Sequence, residues 1–210
     1  NGAVFDAGSN HHAIAGALGL LVPMSIEAPA NNGSATLQME MHWVSDDGFT
    51  ACPAPTTGNA LTTGSFVASF VCGKAFINGT KVETLQSFTV NTGITVEIQR
   101  DSGSPYPYKI FITKREPTID LVFENEAQGL AVLNSSGIVS GSGGAGVYLR
   151  KRADRATFVA DATTEHIKLG FTSGLTRLES FNGVAVEGNS TFTIRLHGKA
   201  LTAATGVAIP

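Results

Sequence analysis

Apolar and polar residues alternate with a period of two along much of this 210-residue chain. The segment 35–44 is the clearest case, because every second residue in it is apolar: Leu37, Met39, Met41 and Trp43. Such alternation predicts an antiparallel strand with one face toward the core and one toward water. We therefore expect Leu37, Met39 and Met41 to be buried.

Asn-Gly pairs between apolar runs mark predicted hairpins. The run Ser65–Cys72 is followed almost at once by Ala75–Val82, which contains the pair Asn78-Gly79, and both residue types tolerate the positive φ angles of a type I′ turn. The pair Asn182-Gly183 and the segment Asn91-Thr92-Gly93 predict further turns by the same reasoning.

The whole pattern amounts to roughly a dozen short strands with almost no helix, which is typical of an all-β fold. We predict an antiparallel β-sandwich, immunoglobulin-like or jelly-roll. One domain is expected over residues 1–210, with an apolar N-terminal arm at about residues 1–22. The Gly/Ser-rich loop 135–146 is the candidate internal boundary.

The N-terminal arm fits either a short helix or a strand. Two glycines weaken the helix, whereas a period of two places Ile14, Leu18 and Leu20 on one face of a strand. Pro23 is expected to end either element. In both cases Ile14, Leu18, Leu20 and Val22 are candidate contacts with another subunit.

Composition limits the partners. Charged residues make up 15% of the chain and the formal net charge is −3, which argues against nucleic acid as a main partner. No apolar run reaches the roughly 20 residues of a membrane span. The low charge and the start at Asn1 favour an exported, cell-surface or extracellular protein whose signal peptide was cleaved.

The two cysteines are Cys52 and Cys72. In an exported protein they are expected to form one disulfide, closing a loop of about 21 residues worth roughly 3 kcal/mol. The alternative is two buried thiols in a reducing compartment.

Known catalytic motifs are missing from the sequence. It contains no nucleophile elbow, no phosphate-binding glycine loop and no His-Glu-x-x-His zinc motif. Paired carboxylates with the placement that glycoside hydrolysis needs cannot be argued either. We expect no catalytic residue, no metal and no cofactor.

Two groups of residues are candidates for binding. The basic run Arg150, Lys151, Arg152 and Arg155 has the guanidinium forks that grip an anionic glycan, a phosphate or an acidic surface, although such charges also blunt exposed sheet edges. The rings Trp43, Tyr106 and Tyr108 lie near predicted loop tips, where aromatic side chains often contact sugars. A host glycan or surface receptor is thus a predicted partner.

Three features together resemble the subunits or adhesin domains of bacterial fimbriae of the chaperone–usher type. They are the apolar stretch Ile14–Leu20, the Cys52/Cys72 pair and the terminal strand Thr191–His197. In that family a subunit's open immunoglobulin-like sandwich is completed by a strand from the next subunit. The resemblance implies strand donation, followed by polymerisation or receptor binding.

Three functions are therefore weighed. The leading hypothesis is a non-catalytic fimbrial subunit that binds copies of itself or related subunits. The first alternative is a structural or receptor-binding β-sandwich protein of a virion or phage tail. The second alternative is a secreted carbohydrate-active enzyme.

Overall fold

The computed structural model describes residues 11–13, 18–50, 56–59, 69–124, 144–154, 156–171, 176–186 and 189–210. Within these residues the regular elements are all strands, and the sheets are antiparallel. The predicted fold class, an antiparallel all-β sandwich, is confirmed.

The first eight strands lie before residue 100. They are β1 (His11–Ala13), β2 (Leu18–Ala28), β3 (Thr36–Val44), β4 (Thr56–Asn59), β5 (Phe70–Ile77), β6 (Thr80–Val82), β7 (Leu85–Asn91) and β8 (Ile94–Gln99). The remaining strands are β9 (Lys109–Arg115), β10 (Thr118–Phe123), β11 (Ala145–Lys151), β12 (His166–Phe171), β13 (Thr176–Val186), β14 (Asn189–Gly198) and β15 (Leu201–Val207).

The strands form two larger sheets and two small ones. One sheet has the order β13-β14-β10-β7-β2-β3, and the other has the order β15-β12-β11-β5-β6. Two two-stranded sheets pair β1 with β4 and β8 with β9.

The chain divides into two compact units, each built from several segments. Unit 1 consists of the described residues within Asn1–Val22, Glu40–Val67 and Val96–Thr113, and unit 2 of those within Pro23–Met39, Ala68–Thr95 and Lys114–Pro210. The predicted single domain with a boundary in loop 135–146 stays a prediction, because residues 125–143 lie outside the described residues. Ala145 and Gly146 belong to β11 rather than to a loop.

Unit 2 is a two-layer sandwich. Its core takes Phe88, Leu121 and Ile194 from one large sheet and Val147 and Leu169 from the other, all at most 3% exposed. Along β10, buried and half-buried side chains alternate from Thr118 to Phe123, as expected for a strand with one face on a core. Apolar burial on this scale is the main stabilising term of the unit.

The central hairpin is confirmed, although its first strand is β5 rather than the predicted 65–72. Asn78 and Gly79 have φ angles of 51° and 79°, the combination that a type I′ turn requires. The turn predicted at Asn182-Gly183 is wrong, because both residues lie inside β13 and Gly183 pairs with Phe192 of β14. A Cβ at Gly183 would lie 2.9 Å from the Phe192 ring, so the ring occupies the space that a side chain would fill.

Pro23 does not end the N-terminal element. It lies inside β2, whose pairing with β7 begins only at Ser25. A proline lacks the N–H that a ladder needs, so it is tolerated where that ladder has not yet begun. The carbonyl oxygen of Pro23 accepts a hydrogen bond from Thr92 Oγ1 at 2.7 Å.

Candidate functional site

Three apolar side chains on β3 face solvent. Leu37, Met39 and Met41 are 53%, 44% and 49% exposed, so the prediction that they lie in the core is wrong. The strand itself was predicted correctly, but its predicted alternation of buried and exposed residues is absent, since residues 36–41 are all exposed. The physical reason for the error is that β3 is the outermost strand of its sheet, and no described layer covers its apolar side. We call Leu37, Met39 and Met41 the β3 face.

Unit 1 exposes further large apolar side chains. They are Leu18, Leu21, Phe49, Ile98, Phe111 and Ile112, with exposed fractions between 37% and 65%. Ile98 and Ile112 lie on β8 and β9, where alternation also predicts an inward face. Scattered exposed apolar residues are ordinary in proteins, whereas a concentration of them marks a surface that contacts something else.

A cleft of about 610 Å³ opens in unit 1 between strands β2, β3 and β9. Its lining consists of Leu18, Gly19, Val44, Tyr108, Lys109, Ile110 and Phe111. Two of the residues selected from the sequence, Leu18 of the arm and Tyr108 of the aromatic group, are therefore brought together here.

Polar contacts fix the Tyr108 side of this cleft. The Tyr108 hydroxyl donates a hydrogen bond to Asp101, and Lys109 Nζ lies 4.8 Å from the centre of the Tyr108 ring. The pKa of Lys109 is raised, first by its hydrogen bond to Tyr108 and further by the negative charge of Asp101. The lining of the cleft is thus mainly apolar, with the charged Lys109 and the polar Tyr108 at one side.

The other two aromatic candidates lie in different surroundings. Trp43 is half-buried and packs over Gly19, where an added Cβ would lie 3.2 Å from its ring. Tyr106 is exposed, and its backbone N–H donates to the Gly48 carbonyl oxygen at 3.0 Å. Trp43 is therefore mainly a packing residue, and Tyr106 is the more accessible ring.

The predicted assembly arm is only partly available to a partner. Val22 is 1% exposed and Leu20 is half-buried, whereas Leu18 and Leu21 are exposed. Val22 was therefore wrongly selected as a partner contact, because its side chain is already enclosed. Ile14 lies outside the described residues.

Within unit 2, Arg150 and Lys151 of the basic run form ion pairs with acidic side chains. Arg150 Nε lies 2.9 Å from Asp161 Oδ1, in an ion pair without the alignment of a hydrogen bond. Lys74 Nζ lies 3.3 Å from the other Asp161 oxygen. Lys151 pairs with Glu165, whose pKa is lowered chiefly by that hydrogen bond.

Arg152 is occupied as well. Its guanidinium donates to the Asn32 carbonyl oxygen, and its Cζ lies 5.7 Å from the Phe158 ring centre. The Arg150 Cζ lies 5.0 Å from the same ring, a favourable placement of cations over a π face. Arg155 lies outside the described residues. These contacts hold a turn together, and anion binding by the run stays a prediction.

Cys72 is a half-buried free thiol in this structure. Burial raises the pKa of its thiol to about 11, so the unreactive protonated form prevails at neutral pH. Its predicted partner Cys52 lies outside the described residues, and the disulfide stays a prediction.

Comparisons with known proteins identify no family. No protein-family model matches the sequence, and no curated protein matches it. A similar solved structure is the cryo-EM structure of the anti-feeding prophage cap, the cap that terminates the AFP tube. The two are 10% identical with a TM-score of 0.42, over 70% of this chain and 95% of that one. Similarity at this level says nothing about function.

Neither a metal-binding cluster nor a membrane-spanning helix occurs in the part of the chain that the structure describes. The described residues contain no group of three or more His, Cys, Asp or Glu side chains that could hold a metal ion. None of the described segments is a helix of the length and apolarity needed to cross a membrane.

Proposed function

We propose that this protein is a non-catalytic structural subunit that assembles with further copies of itself through the β3 face. The exposure of Leu37, Met39 and Met41 on an outermost strand is the observation that carries the proposal. Burying these three side chains against another copy would remove apolar surface from water at about 25 cal/mol per Å². An outermost strand also offers backbone N–H and C=O groups to a strand of that copy.

The occupant is a second copy because the β3 face is suited to pairing with itself. Its side chains are unbranched or singly branched and carry no charge, and two methionines adapt their shape to an opposing surface. A two-fold contact brings the same patch of both subunits together. Leu37, Met39 and Met41 carry no charge, so two copies of the β3 face can meet without electrostatic repulsion.

Of the two structural classes predicted from the sequence, the geometry favours a virion or phage-tail subunit over a fimbrial one. Strand donation needs a sandwich core that is left open for the strand of the next subunit. In unit 2 the core residues Phe88, Leu121 and Ile194 are at most 1% exposed, so this core is enclosed by its own strands. A subunit whose core is already enclosed is suited to assembly by packing its folded surface against another subunit, without strand exchange.

Charge placed on the β3 face tests the proposal. We expect purified protein to form concentration-dependent multimers in size-exclusion chromatography with light scattering. The double variant M39E/M41E is expected to raise the dissociation constant at least about tenfold, because a buried unpaired carboxylate costs several kcal/mol. Both positions are exposed, so circular dichroism is expected to report an unchanged fold.

Gln38→Glu is the matched control, since it introduces the same carboxylate on the opposite side of the same strand and is expected to leave assembly unchanged. A wild-type protein that stays monomeric at high concentration would contradict the proposal, as would M39E/M41E multimers of wild-type stability. A mass of two subunits in light scattering fits the two-fold contact itself. Electron microscopy of larger assemblies, which the dimers would build through further contacts, separates the two classes: rings, tubes or closed particles fit the virion or phage-tail class, and thin fibres with exchanged strands fit the fimbrial class.

A further inference from the structure

Three connections of unit 2 meet at one end of its sandwich. Glu116 N–H donates to the Gly93 carbonyl oxygen at 3.1 Å, and Gly198 N–H donates to the Pro117 carbonyl oxygen at 3.1 Å. These bonds tie the β7–β8 connection to the β9–β10 connection, and the latter to the end of β14. The approach is close, because a Cβ at Gly93 would lie only 2.0 Å from the Glu116 oxygen.

Basic side chains from separate strands converge on this end. Lys114 and Arg115 end β9, Arg177 and His197 are direct partners across β13 and β14, and Lys199 follows β14. We call Lys114, Arg115, Arg177, His197 and Lys199 the basic end. These residues come from three separate stretches of the sequence, near 114, 177 and 198, so no single charged run predicts the cluster.

One acidic side chain lies among them. Glu116 forms an ion pair with Lys114 at 2.8 Å, and its pKa is lowered first by that hydrogen bond and further by the charges of Lys114, His197 and Arg177. One carboxylate balances one cation, so the basic end keeps an excess of positive charge. By contrast, Arg150 and Lys151 of the basic run are each paired with a carboxylate, Asp161 and Glu165.

The basic end borders a cleft of about 290 Å³. Arg115 and Lys199 line it from two different connections, together with Thr92, Ile94, Pro117 and Ala200. Neither cation forms an ion pair with any residue that the structure describes. Both are exposed at the cleft, so they can turn toward a ligand without breaking an existing contact.

We infer that this cleft binds a sulfate or phosphate group. Arg115 supplies the planar fork of N–H donors that fits a tetrahedral oxyanion, and Lys199 supplies a mobile point charge. Arg177 adds to the positive potential that attracts the anion. A group with two negative charges matches this excess better than a single carboxylate does. The inference concerns unit 2 and does not depend on assembly through the β3 face.

Titrations followed by two-dimensional NMR test the inference. The probe is sodium sulfate, and sodium chloride at matched ionic strength is the reference. We expect sulfate to shift the backbone amides of residues 92–93, 115–116 and 199–200 saturably, and chloride to leave them unshifted. A sulfated oligosaccharide and its desulfated form make a second arm. Tighter binding of the sulfated sugar identifies an ester as the ligand, and equal binding of free sulfate identifies the ion itself.

The double variant R115Q/K199Q is expected to weaken sulfate binding at least about tenfold, since two charge-assisted contacts are lost. Arg100→Gln is the matched control, because it removes one exposed cation from unit 1 and is expected to leave the affinity unchanged. Equal shifts in chloride and sulfate would overturn the inference. So would R115Q/K199Q protein that binds sulfate as tightly as the wild type.

Discussion

The imidazole of His166 accepts a hydrogen bond from the backbone N–H of Lys151 through Nδ1, at 3.1 Å. A backbone N–H only donates, so Nδ1 is the unprotonated nitrogen and Nε2 carries the hydrogen. Nε2 lies 3.0 Å from the Ala160 carbonyl oxygen, to which it donates. The side chain is completely buried. The buried ring of His166 therefore links two backbone groups of unit 2, the Lys151 N–H and the Ala160 carbonyl oxygen.

Replacing this ring by a hydrocarbon is expected to be costly. His166→Phe removes the acceptor of the Lys151 N–H and the donor to the Ala160 carbonyl oxygen, and each lost hydrogen bond costs about 0.5–1.5 kcal/mol. We expect the free energy of unfolding in urea to fall by roughly 1–3 kcal/mol. His166→Gln keeps one donor and one acceptor and is expected to lose less. Equal stability of the Phe variant and the wild type would show that the two bonds contribute nothing.

At position 198 an aromatic ring, and not a positive φ angle, excludes any residue larger than glycine. A Cβ built there would lie 2.3 Å from two carbon atoms of the Phe171 ring, and Phe171 is buried. Gly198→Ala must push that ring into a packed core, and overpacking of this kind costs about 1–3 kcal/mol. The measurement is the urea midpoint of the purified variant.

The second-site variant Phe171→Leu tests the cause of this loss. It removes ring atoms beside the new methyl group, so G198A/F171L is expected to be more stable than the sum of the two single changes predicts. Gly79→Ala is a useful contrast. No atom lies within 4 Å of a Cβ there, yet φ is +79°, so about 1–2 kcal/mol of backbone strain is expected without any clash. Additive behaviour of G198A/F171L would contradict the steric explanation.

Asp47 makes the turn after β3 sensitive to acid. Its Oδ1 accepts from the backbone N–H groups of Thr50 and Phe49, both at 2.8 Å, and these bonds lower the pKa from 3.8 to about 2. A folded-state pKa below the unfolded value means that the stabilisation is present above pH 4 and is lost as the pH falls toward 2. The carboxylate signal of Asp47 in NMR is expected to titrate with a midpoint near 2.

The amide signals of Phe49 and Thr50 provide the control for this titration. They are expected to move together with the carboxylate between pH 4 and pH 2, and the variant Asp47→Asn is expected to abolish the movement. A midpoint at or above 3.8 would mean that the two bonds do not favour the charged form.

Identical sequence signals gave opposite results at the two Asn-Gly pairs. Asn78-Gly79 adopts two positive φ angles and turns the chain, whereas Asn182-Gly183 lies within β13. The dipeptide permits a turn, but β13 pairs with β14 through this position, and the Phe192 ring fills the space above Gly183. A local preference worth about 1 kcal/mol is easily overridden by such pairing.

Alternation on β3 predicted the strand and its two faces but not which face would be covered. Burial of Leu37 or Met39 depends on whether another layer lies over that side of the sheet, and a period of two carries no such information. Charged residues could likewise be identified from the sequence, but not which of them would form ion pairs in the fold. The run 150–155 is conspicuous in sequence, yet its Arg150 and Lys151 are paired with Asp161 and Glu165, while Arg115 and Lys199 come to line one cleft only through the fold.

Asp120 and Arg195 form the best-aligned ion pair on the outer side of the sandwich. They are direct partners across β10 and β14, with Nε–Oδ1 at 2.7 Å and Nη2–Oδ2 at 2.9 Å. The hydrogen bonds to Asp120 raise the pKa of Arg195. Because the Arg195 side chain is 47% exposed, solvent screening reduces the coupling to about 0.5–1 kcal/mol. A double-mutant cycle with D120N and R195Q measures it directly.

The pair Lys114–Glu116 is the matched comparison for that cycle. It is also an ion pair of unit 2, at 2.8 Å, but its side chains are 55% and 52% exposed and it has a single contact. We expect a coupling below about 0.5 kcal/mol there, and a steeper loss with added salt. The two-pronged geometry of Asp120–Arg195 is what distinguishes the pairs. Equal couplings would therefore mean that alignment across the strands adds nothing to simple proximity of charge.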